Sequence, residues 1–138
     1  MPPLKRTADK GPDSEKITLN LGYVDLGRID LLVREGFYSN RSDFIRTAIR
    51  NQLDTHNDAL RQTIDRHTMD MGLRDITRAE LESARAAGEL LHIRVVGLAR
   101  LDPDISPELA RASIGSITVL GALQASPDQK KALADRIQ

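Results

Sequence analysis

The clearest pattern in the chain is a strict alternation over residues 16 to 21, Lys-Ile-Thr-Leu-Asn-Leu. A two-residue period places successive side chains on opposite faces of a strand. It predicts Ile17, Leu19 and Leu21 on a buried face and Lys16, Thr18 and Asn20 on an outward one. Past Gly22 the period changes: Leu26, Ile29, Leu32 and Val33 recur at three- and four-residue spacing and predict a helix over about 24 to 35, closed by Gly36. After Phe37 and Tyr38, Ser39 is a suitable N-cap for a second helix over about 40 to 54, with Phe44, Ile45, Ala48, Ile49 and Leu53 as a wide apolar stripe. Leu60, Ile64 and Met71 continue a sparse stripe diluted by Asp54, Asn57 and Asp58, so residues 55 to 76 are expected to form an exposed helical linker. Thr77 and Glu80 then have the spacing of a capping box, and Gly88 bounds a short helix over about 78 to 87.

The last third contains an internal repeat. Residues 93 to 104, Ile-Arg-Val-Val-Gly-Leu-Ala-Arg-Leu-Asp-Pro-Asp, align with residues 117 to 128, Ile-Thr-Val-Leu-Gly-Ala-Leu-Gln-Ala-Ser-Pro-Asp, at an offset of 24. Each copy predicts a strand followed by a helix opened by Ser106-Pro107 or Ser126-Pro127, because Ser can cap and Pro suits the first helical position. The expected module is β-α-β-α, with Gly97 and Gly121 as packing points in the repeated strands. Val96, Leu98, Leu120 and Ala122 leave the second sheet face partly apolar, so it is expected to be covered by the helix at 78 to 87 or by a second chain.

One strand followed by two helices cannot close on itself, since both strand edges would stay unpaired. Pairing with a twin strand would give a two-stranded ribbon and bury Ile17, Leu19, Leu21, Phe44, Ile45, Ala48 and Ile49, together with Leu26, Ile29 and Leu32, between two chains. The alternating run, Ile29-Asp30-Leu31-Leu32, Gly36-Phe37, Ser39 to Arg46 and Ala48-Ile49 together resemble the ribbon-helix-helix class of bacterial DNA-binding proteins, closest to the CopG-type repressors. The resemblance covers about residues 15 to 54. It implies that the polar face of the ribbon enters the DNA major groove, with Lys16, Thr18 and Asn20 reading bases. It also implies that Ser39, Asn40 and Arg41, at the start of the second helix, bind backbone phosphate, a role that free first-turn amides and the helix dipole favour.

The fold expected overall is mostly α with short β. It comprises a basic arm over residues 1 to 14, a ribbon-helix-helix domain that forms an intertwined dimer over 15 to 54, a helical linker over 55 to 76, and a β-α repeat module for oligomerisation over 77 to 138. The arm combines Pro2, Pro3 and Pro12 with Lys5, Arg6 and Lys10, which could add salt-sensitive DNA contacts.

Composition narrows the function without naming it. The 138 residues carry 20 basic and 20 acidic side chains, so the net field gives no push toward a polyanion, and DNA binding must come from local arrangement. No Cys is present, which removes disulfides, thiolate metal sites and a Cys nucleophile. His56, His67 and His92 have no metal-site spacing, the carboxylates show no convergent pair and there is no phosphate loop, so neither a metal, a cofactor nor catalysis is expected. The first residues lack the apolar core of a signal peptide and no apolar stretch is long enough to span a bilayer, so a cytoplasmic, nucleoid-associated protein without a membrane partner is expected. The leading expectation is a transcriptional regulator, as a repressor, that binds double-stranded DNA as a homodimer, with tetramers or larger assemblies built through the repeat module. The alternatives are an antitoxin whose C-terminal part binds a toxin, and a self-assembling scaffold. Operator, target genes and effector are not encoded in any pattern of the chain.

Overall fold

The structure is a computed structural model that describes residues 14 to 138; the proposed arm contacts Lys5, Arg6 and Lys10 lie outside the described residues. The chain divides into one compact unit over Ser14–Thr63 and a second whose described part is Ile64–Gln138.

In the first unit, residues 15 to 22 form no regular element within the single chain. They lead into α1 (Tyr23–Arg34), then α2 (Arg41–Thr55) and, across the unit boundary, α3 (Asn57–Arg66). The end of α1 is built as the sequence predicts. Gly36 takes φ +88°, and the amides of Gly36 and Phe37 donate to the carbonyls of Val33 (3.1 Å) and Leu32 (3.0 Å). This is the reversed pairing that satisfies the last helix carbonyls. The start of α2 differs by one residue from expectation. Asn40, not Ser39, is the cap: its side chain accepts from the Asp43 amide at 2.8 Å, while the Ser39 amide donates back to Asp43 Oδ2 at 3.0 Å.

The second unit is a repeated strand-helix structure: β1 (Asp70–Ile76), α4 (Arg78–Ala86), β2 (Leu91–Leu101), α5 (Pro107–Ser113), β3 (Ile114–Gln124) and α6 (Pro127–Ala132). The strands form one parallel sheet in the order β1-β2-β3. Two expectations are corrected here. The helical linker over 55 to 76 holds only for α3, because residues 70 to 76 are a strand. The architecture is therefore mixed α/β, with two strands of 11 residues each, rather than mostly α with short β. The strand was hidden by Arg74, a charge that pairs with Ala99 in the register and lies on the helix-bearing face. It is neutralised there by a two-pronged contact with Glu80 of α4 and donates to the Asp75 carbonyl at 2.8 Å.

Each helix of this unit opens with a side-chain cap. Thr77 accepts from the Glu80 amide (3.2 Å), Ser106 from Leu109 (3.1 Å) and Ser126 from Gln129 (3.1 Å), with Pro107 and Pro127 at the first helical positions. The helices bury Leu81, Leu109, Ala110 and the residue after α6, Leu133, in one core with Ile76, Ile93, Val95, Ala99, Leu101, Ile105, Ile114 and Ile117. Ser113 and Gln129 are the buried polar residues among those described, and both are satisfied: Ser113 Oγ donates to the Leu81 carbonyl at 3.0 Å, Gln129 Nε2 donates to the carbonyls of Asp102 and Ile105, both at 2.9 Å, and Gln129 Oε1 accepts from the Ser126 amide. Because α4 contributes Leu81 and Ala84 to that core, it does not cover the opposite sheet face. There, Met71, Leu73 and Leu120 remain exposed.

Candidate nucleic-acid interface

The three side chains expected to contact bases, Lys16, Thr18 and Asn20, are all exposed. Their apolar alternates are not covered by the described residues either. Ile17 is 80 % and Leu19 61 % exposed, and Leu21 is half-buried. The rest of the expected dimer core shows the same incompleteness: Phe44 and Ile45 are half-buried, while Ala48 and Ile49 are exposed. Only Ile29 is buried among the described residues of this unit. Tyr38 meets Phe44 edge to face, with ring centroids 5.0 Å apart, and helps fix the turn into α2.

The second expected element, Ser39, Asn40 and Arg41, converges at the N-terminus of α2, but with partners the sequence reading missed. Arg41 donates from Nε and Nη2 to both carboxylate oxygens of Asp30, each at 2.8 Å. This bidentate pair ties the start of α2 to α1. The Arg41 hydrogen bonds hold the Asp30 carboxyl below its ordinary value, and Asp30 in turn raises the Arg41 guanidinium. With a lowered folded value, the carboxylate contributes stability above its unfolded pKa and loses it as pH falls through the folded one. Asp43 supplies a second carboxylate at the same helix start. Arg41 is thus already engaged within the chain. The signal that could have found Asp43 was the Asn40-x-x-Asp43 spacing of a reciprocal cap. Asp30 carried no local signal, because it lies 11 residues from Arg41. Among the described residues, no hydrogen bond or ion pair joins Lys16, Thr18 or Asn20 to Ser39, Asn40 or Arg41.

No group of three or more His, Asp or Glu side chains is placed to hold a metal ion among the described residues, and no helix there is long and apolar enough to cross a membrane. Comparison with curated proteins and with solved structures gives no match. A family model does match, over residues 12 to 130, and so spans the alternating segment, the helix pair and nearly all of the sheet unit. Its members are DNA-binding transcriptional regulators that usually act as dimers. An alternating segment without a strand partner among the described residues, a helix pair with an uncovered apolar stripe and this match agree, and the chain belongs to the ribbon-helix-helix transcriptional regulator family.

Proposed function

We propose that the protein is a sequence-specific repressor whose N-terminal unit pairs with a second copy. Residues 16 to 21 of the two chains form an antiparallel ribbon that enters the major groove. Lys16 donates to guanine O6 or N7, Asn20 pairs with adenine N6 and N7, and Thr18 meets a thymine methyl or a polar base edge. The first turn of α2 fixes the register on the phosphates, with Ser39, Asn40 and Arg41 at the backbone. Two copies of the three side chains read a site with two-fold symmetry. The observation that carries this reading is the exposure of Ile17 and Leu19 on a strand-patterned segment that has no strand partner among the described residues. A twin strand satisfies its backbone and covers those side chains at once.

The C-terminal unit joins dimers. It has its own core, which supports a self-folded assembly module over a tail that orders on a toxin. Linking two dimers makes the second DNA contact intramolecular and raises apparent affinity by ~100-fold or more where the geometry matches.

The test is retention of genomic fragments at about 150 mM salt, where specific binding outlasts phosphate-only contacts. The wild-type chain is expected to enrich a short symmetric or repeated site. Replacing Lys16, Thr18 and Asn20 together by Ala should abolish enrichment while the dimer stays folded. Equal enrichment by the triple variant would sink the base-reading assignment.

A further inference from the structure

The sheet carries a row of three glycines in register, Gly72, Gly97 and Gly121, one from each strand. All three have positive φ, at +115°, +139° and +122°. Two of them are compelled by their neighbours as well. A Cβ on Gly97 would lie 2.2 Å from the Gly72 carbonyl oxygen, and one on Gly121 would lie 2.1 Å from that of Gly97. In each case the missing methyl points at the preceding strand and admits its carbonyl. Gly72 repeats the conformation on the outer strand, where a Cβ would meet nothing within 4 Å. The outer edge of β1 is thus shaped like the two inner edges, and no described residue takes the place of a preceding strand.

The opposite edge of the sheet offers a strand of matching form. Along β3, Ile117 is already paired with the chain's C-terminus: its amide donates to the Arg136 carbonyl and its carbonyl accepts from the Gln138 amide, both at 2.8 Å. From Thr118 to Leu123 no strand lies beside β3 among the described residues. Residues 70 to 76 of β1 pair with 95 to 101 of β2, and β2 from 95 onward pairs with β3 from 119. A β1 strand added beside β3 in the same register would begin at Val119, just past the C-terminal bridge. The apolar rows also run to both edges. Met71, Val96 and Leu120 form one row on the face away from the helices, and its two end members are the exposed ones, at 75 % and 60 %.

We infer that the C-terminal unit associates head to tail with a second copy of itself, β1 of one chain continuing the parallel sheet of the next along Val119–Leu123. Gly72 then receives the partner's glycine carbonyl as Gly97 and Gly121 receive theirs. Met71 comes beside Leu120 of the partner subunit, which shortens the exposed row at both ends. Repeat architectures gain stability from such unit-to-unit interfaces, and a head-to-tail contact repeats, closing into a ring or continuing as a filament. The inference rests on the reading of this unit as the assembly module and names its surface.

The chain lacks Cys, so engineered thiols report the contact cleanly. Paired parallel strands lie about 4.8 Å apart, within the separation a disulfide bridges. Met71→Cys and Leu120→Cys replace exposed side chains, and under reducing conditions each variant should elute as the wild type does. Under oxidation, a mixture of the two is expected to form a covalent dimer while each alone forms none. The double variant should give covalent chains of three or more. Self-linking of either single variant would overturn the proposal in favour of a symmetric contact. No cross-link in a chain that still elutes larger than a dimer would overturn the edge but spare the assembly reading. A chain that never exceeds a dimer would remove both.

Discussion

The two units of this chain reach stability by different routes. The C-terminal unit surrounds a core of aliphatic side chains drawn from its three strands, from α4 and α5 and from Leu133 just past α6, and even its buried Gln129 is fully bonded. The N-terminal unit has regular helices with well-formed termini, yet among its described residues only Ile29 is buried. Good local structure is therefore not the same as a closed fold. Caps and periodicity shape a helix, but burial of apolar area stabilises it, and in the N-terminal unit most of that area stays uncovered by the described residues.

The sharpest way to break the contrast is a charge placed where only the dimer would bury it. Leu19→Asp, exposed in the single chain, should abolish pairing, because an unpaired buried charge costs about 3–5 kcal/mol and the two-fold imposes it twice. Loss of DNA retention is the readout, with unchanged amide exchange protection at Val95 and Ile117. If pairing survives, the alternating segment does not lie in the interface.

The reverse substitution is Leu81→Ala, in the core of the C-terminal unit. Deleting a fully buried leucine side chain costs roughly 2–5 kcal/mol. Exchange protection at Val95 and Ile117 should fall sharply while the helical signal of α1 and α2 persists. Collapse of both units together would show that they unfold as one.

The smallest effect runs in the favourable direction. Thr68, at the exit of α3, holds φ +53° while its amide and that of Met69 donate to the carbonyls of Asp65 and Ile64. A left-handed conformation costs an L residue about 1–2 kcal/mol, so Thr68→Gly should stabilise the C-terminal unit by about 1 kcal/mol, read as a higher denaturation midpoint. No gain would mean that the Thr side chain compensates locally.

Much of this was legible along the chain. Both N-terminal helices, the caps at Thr77, Ser106 and Ser126, and the two long strands follow from spacing and from residues with specific backbone preferences. The strand at 70 to 76 was not, since Asp70, Arg74 and Asp75 interrupt its apolar pattern. A signal was nonetheless present: Gly72 precedes the Thr77 cap by the same five residues that separate Gly121 from Ser126. The engagement of Arg41 by Asp30 was equally hidden, because a pair 11 residues apart depends on how α1 and α2 meet.

The sequence by itself determined where helices start and stop, which segments alternate, and that a unit repeats, because these follow from dihedral preferences and side-chain periods acting over a few residues. Tertiary structure alone decided that β1 joins the sheet, that Arg74 is neutralised on the helix-bearing face, and that three glycines fall into one row. Those outcomes depend on which segments become neighbours. A charge or a missing Cβ acquires its meaning from the strand or helix packed against it, and local pattern carries little record of that neighbour.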